Sequence, residues 1–576
     1  MGAVSVRREG GRGGGRPLRV LLVHANPFQQ VTPVPPYGLE CLKTAVSDLD
    51  VEVEILDPYL VAADPIDAAA RHARERRPDL VGLGLRIVDD CIVIADPDAE
   101  TAAAHDITWF MPEIRRLRAA LGEAAPEALF LCGGAAFSAF PGECLDYLEV
   151  ERGIVGAGEA PFRLVLERLA SGVELGAIPG LVRRGEQDPL GAYQVSFAAR
   201  PTLREPLYAP VNSFPVRTRI GCAMQCVYCL TANLGRRHGN GALEVVLDEL
   251  EQTVAAAAEH GIERPPVFFA DDELNLPDEA HAIAVLQGIV ERGLADKLTW
   301  RAYVNPTPFS AELAGLAKKT NGHVTVTVDT ASEEVMRVAQ KQFRRRHLDD
   351  LVETVARHEL SADLGLLFGL PGETEATLAE TIAFVRSLPP SIEVSYSSGA
   401  RVHPHTPLAA LAREQPEQVF GADDPSFFEP VVFSALGPPR DLARRLRLEF
   451  AGLPHVRAAG VGFTTGRQTV ARAYRVATGA APATAWQDVL DEAERPGDHQ
   501  RTPGESLAAV LQIALWHERL DLGASAAKRL YRFRGALPAG VTRRQVRLAR
   551  LALGLLTTLD RLKRAGRRGR ASRGGR

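Results

Sequence analysis

Short apolar runs alternate with amphipathic helical patterns over the first third of the chain. Five of these runs are candidate strands: residues 18–27, 51–60, 80–86, 128–134 and 150–159. Nearly continuous apolar strands predict a parallel, doubly wound α/β sheet, because helices cover both faces of each strand. Ligands of such sheets bind beyond the carboxyl ends of the strands. We therefore expect a ligand-binding domain over residues 18–175.

A second alternating series begins near residue 215. Its six candidate strands are residues 215–221, 265–274, 298–306, 323–329, 362–372 and 392–402. Six strand–helix units fit a partial (β/α)6 barrel better than a closed eight-stranded one, and catalytic groups of barrels lie at the carboxyl ends of the strands. We expect this barrel over residues 215–410. Residues 176–214 contain scattered Pro and Gly and are predicted as a linker.

The remainder of the chain has a different pattern. Amphipathic helical patterns dominate after residue 410, so we predict a mostly helical domain over residues 411–560. Both ends of the chain are basic and rich in Gly. Residues 1–17 are predicted as a disordered tail and residues 561–576 as a basic tail.

Charge is distributed unevenly along the chain. The net charge is −5, although residues 561–576 alone carry eight Lys and Arg and no acid. The body between the tails is therefore acidic, which argues against a nucleic-acid-binding surface. No apolar run reaches the ~20 residues that a membrane-spanning helix needs, and the N-terminus lacks the apolar segment of a secretory signal. We expect a cytoplasmic protein that binds neither nucleic acid nor membrane.

Three of the seven cysteines lie within eight residues: Cys222, Cys226 and Cys229. An odd number of cysteines without a signal sequence argues for a reducing compartment. The C-x3-C-x2-C spacing suits a [4Fe–4S] cluster, because thiolates are soft ligands, and it leaves the fourth iron open for chemistry. Zinc is the alternative metal, with His238 as a possible fourth ligand. Structural zinc, however, usually takes its ligands as two separated pairs.

The cysteine loop resembles that of the radical S-adenosylmethionine (SAM) superfamily, with an aromatic residue, Tyr228, before the last cysteine. The segments FGLPGET at 368–374 and RVHPHTPL at 401–408 resemble those that follow the fifth and sixth strands in that superfamily. The resemblance implies SAM and a [4Fe–4S] cluster as cofactors, and an external electron donor of flavodoxin or ferredoxin type. The residues that it places at SAM are Asp271, Asp272, Asp329 and Arg401.

The N-terminal sequence resembles the cobalamin-binding domain that is fused to class B radical SAM methylases. The matching segments are PPYGL at 35–39, CGGAAFS at 132–138 and VGAGE at 155–159. The resemblance spans about residues 18–410 and implies a Rossmann-like domain with cobalamin at the carboxyl ends of its strands. The residues that it places at cobalamin are Asn26, Gly133, Gly134, Gly156, Gly158 and Glu159.

The N-terminal domain lacks the D-x-H-x-x-G motif of proteins that ligate cobalt with histidine. The resemblance then implies cobalamin without a histidine ligand. We hypothesise that Arg86 lies beneath the cobalt, with Asp89 nearby, because a cation there would disfavour a lower axial ligand. The alternative is an ion pair of Arg86 with Asp89 or Asp90.

Glu273 and the run RAYVNP at 301–306 resemble the tryptophan C2-methylases of thiopeptide biosynthesis and their relatives. The resemblance implies catalytic roles for Glu273, as a carboxylate at the open iron, and for Tyr303. The alternative is that Asp271, Asp272 and Glu273 only bind SAM or cap a helix. Candidate general bases are Tyr303, His403 and His405.

The function that the resemblance implies is methyl transfer from SAM, through cobalamin, to a carbon of a small natural-product precursor. Tryptophan C2 is one candidate acceptor, and a radical and a polar route both remain open. One alternative is a cobalamin-dependent radical SAM cyclase or rearrangement enzyme that transfers no methyl group. Another is an RNA-modifying methylthio enzyme, which would carry an extra cysteine set before the barrel. A third is a non-catalytic cobalamin or SAM sensor.

Overall fold

The computed structural model describes the chain in nine stretches. They are residues 16–26, 35–62, 64–86, 111–186, 213–233, 238–259, 262–421, 431–453 and 455–458. Most of both predicted tails, and the predicted helical domain beyond residue 458, lie outside these stretches. None of the described helices is both long enough and apolar enough to cross a membrane.

The first domain is a sheet with helices on both faces. Its elements are β1 (Leu18–His24), α1 (Tyr37–Ala45), β2 (Val51–Leu56), α2 (Pro58–Val61), α3 (Pro65–Arg76), β3 (Leu80–Gly84), α4 (Met111–Ala124), β4 (Leu129–Gly133), α5 (Ala135–Ala139), α6 (Pro141–Leu148), β5 (Arg152–Ile154), α7 (Glu159–Ala170) and β6 (Leu181–Arg183). The strand order is β2-β1-β3-β4-β5-β6. The first five strands are parallel, which confirms the predicted doubly wound sheet.

Alternate residues of the central strands enter two separate cores. Leu21 and Val23 of β1 pack with residues of α3, α4 and α6, whereas Val20 and Leu22 pack with residues of α7. Because both faces are covered, these strands read as continuous apolar runs in the sequence.

The sheet extends further than the sequence predicted. Residues 181–183, which we expected within a linker, form β6 and pair antiparallel with β5. A strand of three residues is too short to give a period-two pattern, so the sequence carries little sign of it. Residues 187–212 of the predicted linker lie outside the described residues.

The second domain is an open barrel followed by shorter elements. Its elements are β7 (Phe214–Val216), β8 (Arg219–Ile220), α8 (Leu230–Asn233), β9 (Gly239–Asn240), α9 (Leu243–Glu259), β10 (Pro266–Phe269), α10 (Ala280–Glu291), β11 (Thr299–Val304), α11 (Ala311–Lys319), β12 (Gly322–Asp329), α12 (Glu333–Val338), α13 (Arg345–Arg357), β13 (Ser361–Phe368), α14 (Glu375–Ser387), β14 (Ile392–Ser398), β15 (Ala400–Arg401), α15 (Pro407–Glu414), β16 (Val419–Gly421), β17 (Val431–Phe433), α16 (Pro439–Glu449) and β18 (Val456–Ala458).

Seven parallel strands form this barrel, in the order β7-β10-β11-β12-β13-β14-β18. The first six correspond to the six predicted units. β18 adds a seventh strand from the region that we predicted as mostly helical, and β15, β17 and β16 form a small antiparallel sheet. The described part of that region, through residue 458, is therefore mixed rather than mostly helical.

The two faces of the barrel strands have different environments. On β11, Trp300, Ala302 and Val304 are buried in the core formed with the surrounding helices. Arg301 and Tyr303 alternate with them and point to the opposite face, which is the lumen of the barrel. Polar and small side chains on this face leave room for ligands.

Candidate active site

The three clustered cysteines lie in one loop at the end of a short strand. Cys222 follows β8, and Cys229 immediately precedes α8. Cys226 is buried, Cys222 and Cys229 are half-buried, and none of the three forms a disulfide with another described residue. The loop is fixed by hydrogen bonds from the Cys229 amide to the Cys226 carbonyl (3.1 Å) and from the Val227 amide to the Ala339 carbonyl (3.2 Å).

The donor set of this loop suits an iron–sulfur cluster. Three cysteine thiols at C-x3-C-x2-C spacing can each bind a different iron of a [4Fe–4S] cluster. Structural zinc takes four ligands, usually as two separated pairs, and the loop supplies three.

The Glu273 carboxylate lies beside this loop. Its Oε2 atom is buried and has no hydrogen-bond partner among the described residues. Burial, helped by the charges of Asp272 and Asp329, raises the pKa of Glu273 to about 8. Burial is the main cause of the raised pKa of Cys222 and of Cys226, and the charge of Glu273 adds to it, which places Glu273 within electrostatic reach of both thiols. A buried carboxylate oxygen without a partner fits a metal ligand.

The two acids before Glu273 have different surroundings. Asp271 is buried and accepts hydrogen bonds from the amides of Thr218 and Arg219 (2.8 and 2.9 Å) and from the Thr218 hydroxyl (2.6 Å). It therefore fixes the backbone that leads into the cysteine loop, a role that the predicted contact with SAM did not include. Asp272 is exposed, as a ligand-contacting side chain would be.

Asp329 ends β12 and adopts a positive φ of 65°. Its carboxylate accepts hydrogen bonds from the Tyr228 hydroxyl and from Lys341 Nζ, and Lys341 also donates to the Tyr228 hydroxyl (3.0 Å). Lys341 is 5% exposed and its charge lowers the pKa of Cys226, although burial of that thiol outweighs this effect. The sequence analysis missed Lys341, because a lone lysine between helices carries no motif.

Tyr303 and His403 occupy contrasting positions, and His405 is exposed. Tyr303 is 40% exposed on the lumen face and packs edge-on against Phe268, with ring centroids 5.9 Å apart. His403 packs against Phe140 of the first domain, at 6.2 Å, and burial beside Arg401 lowers the pKa of His403 to about 4. Such a neutral, weakly basic imidazole is a poor general base near neutral pH. Arg401 itself is buried on β15.

The predicted cobalamin residues gather at one edge of the first sheet, because its parallel strands end together. Asn26 follows β1 and is buried, and Gly133 ends β4. Gly134 has a φ of 100°, and a Cβ there would lie 2.3 Å from the Leu85 carbonyl oxygen. Gly156 also has a positive φ, and Gly158 directly precedes α7. Side chains are therefore small or absent along this edge, and at Gly134 a side chain does not fit.

Arg86 follows β3 at the same edge. Its side chain is exposed, yet surrounding protein lowers the pKa of the guanidinium by desolvation. A side chain that points into a concave site has both properties. Asp89 and Asp90, its predicted neighbours, lie outside the described residues.

Comparison with known families matches both halves of this arrangement. The B12 binding domain model matches residues 31–166, and the Radical SAM superfamily model matches residues 217–385. This chain is a B12-binding radical SAM protein. The cysteines, Glu273 and Lys341 lie within the radical SAM match, and the glycine edge lies within the B12 match.

Sequence relatives of this radical SAM protein include methyltransferases. The tryptophan 2-C-methyltransferase of Streptomyces laurentii is 26% identical over 463 residues, which cover 68% of this chain and 74% of the relative. An uncharacterised methyltransferase of Pyrococcus horikoshii is 24% identical over 405 residues, which cover 65% of this chain and 77% of the relative. A tRNA-2-methylthio-N6-dimethylallyladenosine synthase of Mycobacteroides abscessus is 24% identical over 267 residues, covering 42% and 50%.

Solved structures of cobalamin-dependent enzymes share the fold. The radical SAM methyltransferase TsrM of Kitasatospora setae, solved with cobalamin and a [4Fe–4S] cluster bound, has a TM-score of 0.66 and 23% identity, over 83% of this chain and 99% of that chain. The cobalamin-dependent radical SAM enzyme OxsB has a TM-score of 0.59 and 12% identity, over 96% and 80%. The two-domain α/β architecture is therefore the one predicted from the sequence.

The two domains of this radical SAM protein meet through a buried polar network. Glu159, which we predicted at cobalamin, is 5% exposed and forms an ion pair with Arg217 of the second domain (2.9 Å). The Tyr37 hydroxyl accepts a hydrogen bond from the Arg217 amide (2.9 Å) and donates to Glu249 (3.1 Å). Glu159 thus joins the domains, and this finding favours a positioning role over contact with the cofactor.

The same interface brings the two predicted cofactor sites together. Leu230, directly after the last cysteine, packs against the core of the first domain, and Phe140 contacts His403. The edge that bears Gly134 and Arg86 therefore lies on the side of the cysteine loop. A substrate between the two edges would be within reach of both cofactors.

Proposed function

We propose that this protein transfers a methyl group from SAM, through cobalamin, to a carbon of a small natural-product precursor, and that tryptophan is the precursor. The observation that carries the proposal is that Leu230, directly after the cysteine loop, packs against the core of the first domain, whose sheet ends in the glycine edge. The reaction class follows the methyltransferase relatives, which match both domains. Tryptophan follows from the activity of the Streptomyces relative, a tryptophan 2-C-methyltransferase.

When bound, cobalamin carries the methyl group, and the cluster supplies the iron site beside SAM. Cys222, Cys226 and Cys229 would hold the cluster, and Glu273 Oε2 would be a ligand of the fourth iron. A carboxylate there would compete with the amino and carboxylate groups of SAM for the iron, and so disfavour reductive cleavage. We therefore favour the polar route, in which SAM yields S-adenosylhomocysteine without 5′-deoxyadenosine.

Residues of both domains would position the reactants. Arg86 would lie beneath the cobalt, where its positive charge disfavours a lower axial ligand. Gly133, Gly134 and Gly156 would admit the corrin close to the backbone. Tyr303, exposed on the lumen face, would contact the acceptor. We also propose a cytoplasmic enzyme whose cofactors are reduced by an external donor of flavodoxin or ferredoxin type.

The test is anaerobic reconstitution with iron, sulfide and hydroxocobalamin, followed by SAM, tryptophan and a strong reductant. We expect S-adenosylhomocysteine and methylated tryptophan, both dependent on added cobalamin. Deoxyadenosine with no methylated product would contradict methyl transfer and favour the cyclase alternative. A parallel reaction with tRNA in place of tryptophan that yields methylthiolated RNA would favour the RNA-modifying alternative, and SAM binding without turnover would favour the sensor.

A further inference from the structure

We propose that Arg301 binds the carboxylate of an amino-acid substrate in the lumen of the barrel. The inference rests on the proposed function, because it names the group that recognises the acceptor. Arg301 lies on the lumen face of β11, two residues before Tyr303, and its side chain is 49% exposed. A half-exposed arginine inside an open barrel is available to a ligand there.

The guanidinium of Arg301 is held in one orientation by its neighbours. Nη2 donates to Asp363, and Nε donates to the Thr325 hydroxyl at 3.0 Å. Asp363 is itself fixed: it is 5% exposed, accepts a hydrogen bond from Thr325 (3.1 Å) and contacts the ring of His323. Side chains of β12 and β13 thus fix the Arg301 side chain of β11 in one orientation. Fewer side-chain conformations are then lost when a ligand binds, which lowers the entropic cost of binding.

One part of the guanidinium remains available. Nη1 donates no hydrogen bond to any residue that the structure describes. The planar fork of arginine matches a carboxylate with two parallel hydrogen bonds. Asp363 accepts from Nη2 and Thr325 accepts from Nε. The edge formed by Nη1 and Nη2 can therefore receive a second carboxylate from the lumen.

The position of Arg301 suits an amino acid whose reactive end points toward the cofactors. Two residues along a strand span about 7 Å, so Arg301 lies about that far below Tyr303, toward the amino end of the barrel. Small lumen-facing residues, Thr327, Gly365 and Ser395, occupy neighbouring strands above it. The carboxylate would enter first, and the ring would remain near Tyr303 and the cysteine loop.

The test measures binding and methylation separately on cofactor-loaded protein. Isothermal titration calorimetry would compare tryptophan, indole-3-propionate, which keeps the carboxylate, and tryptamine, which lacks it. We expect the wild type to bind the two carboxylates more tightly than tryptamine. R301Q should weaken both carboxylates by at least about tenfold, because a charged hydrogen-bonded pair is lost, and leave tryptamine unchanged. The carboxylate affinity of R301K should lie between those of the wild type and R301Q, because lysine keeps the charge but not the planar fork.

Matched controls separate recognition from folding. R386Q alters an exposed arginine that pairs with Glu449 on the outer surface, and should change none of the three affinities. Iron content and tryptamine affinity of R301Q should equal those of the wild type, which shows that the lumen stays folded in the assay although Asp363 loses a charged partner. Equal loss of all three ligands, or unchanged carboxylate affinity in R301Q, would overturn the proposal. Arg301-dependent binding without any methylated product would overturn the proposed function alone.

Discussion

At the scale of single residues, Glu273 is the side chain on which the two routes of methyl transfer differ. Its buried Oε2 has no described partner, and it lies within electrostatic reach of Cys222 and Cys226. If this oxygen binds the open iron, SAM cannot chelate the same iron. The choice of route is then made by one carboxylate.

We predict that E273Q makes 5′-deoxyadenosine from SAM, whereas the wild type makes none. The amide is a weaker ligand for iron than the carboxylate, so SAM gains access to the cluster. Mass spectrometry of both nucleoside products measures the change. E291Q alters an exposed carboxylate at the end of α10 and is the control. Identical products from E273Q, E291Q and the wild type would contradict a role for Glu273 at the iron.

The second residue prediction concerns Arg86. Replacement by Ala removes the charge from the glycine edge and admits water as a lower ligand of cobalt, which should change the electron paramagnetic resonance spectrum of cob(II)alamin and slow methyl transfer. R86K keeps the positive charge but replaces the planar guanidinium by an ammonium group, so its effect should be smaller. Unchanged spectra and methyl transfer in both variants would remove the hypothesis and leave Arg86 as a surface ion-pair residue.

At the scale of elements, the turn after β4 depends on one glycine. Gly134 combines a φ of 100° with a Cβ position 2.3 Å from the Leu85 carbonyl oxygen, so any side chain must displace backbone. We predict that G134A lowers the free energy of unfolding by about 1–3 kcal/mol or more and weakens cobalamin binding. Thermal unfolding and cobalamin titration measure both effects.

Gly142 provides the matched control for this substitution. It lies in α6, and a Cβ there meets nothing within 4 Å. G142A should therefore change stability by less than about 1 kcal/mol, in the favourable direction. Equal effects of the two substitutions would mean that the β4 turn does not require glycine.

The loop after β13 carries a titratable group that affects stability. Burial raises the pKa of Glu373 to about 7, although hydrogen bonds from the amides of Gly369 and Leu370 oppose the shift. The folded state therefore binds this proton more tightly than the unfolded state, so the contribution of Glu373 to stability falls as pH rises from about 4.5 to 7.

We predict that E373Q removes this dependence. Relative to the wild type, the variant should gain up to about 3 kcal/mol between pH 5 and pH 8, as a shift of about two units implies. Thermal unfolding at both pH values measures the difference. If the free energies of unfolding of the wild type and E373Q differed by the same amount at both pH values, the raised pKa of Glu373 would be contradicted.

Sequence patterns anticipated the large elements and missed the small ones. The long apolar strands and the amphipathic helices between them predicted both sheets, because burial on two faces leaves a strong pattern. β6 and β18, with three residues each, were missed because so short a strand has no period to detect. The cysteine loop was found through its spacing. Lys341 and Arg217 were not, because their partners are distant in sequence and meet only in the fold.

At the scale of the whole molecule, the geometry between the cofactors depends on the interface between the domains. Arg217 is the centre of that interface, since its side chain pairs with Glu159 and its amide donates to Tyr37. Arg217 also lies five residues before Cys222, on the chain that leads into the cluster loop. A shift of the first domain would therefore be transmitted directly to the cysteines.

We predict that E159Q destabilises the protein by about 3 kcal/mol, because it removes the charged partner of the Arg217 side chain, which is only 16% exposed. E167Q is the control. Glu167 forms a partly exposed ion pair with Arg163, one turn earlier in the same helix, so loss of this pair should cost less than about 0.5 kcal/mol. Thermal unfolding compares the two variants. Equal stability of E159Q and E167Q would contradict a structural role for the interface pair.

The measurement that tests the central claim most directly follows a labelled methyl group. Protein reconstituted with iron, sulfide and hydroxocobalamin would receive a strong reductant, SAM with a trideuterated methyl group, and tryptophan. The account predicts one intact CD3 group on an indole carbon of the product, one S-adenosylhomocysteine per product, and no product when cobalamin is withheld. Product without cobalamin, or SAM consumption without any labelled carbon, would contradict it.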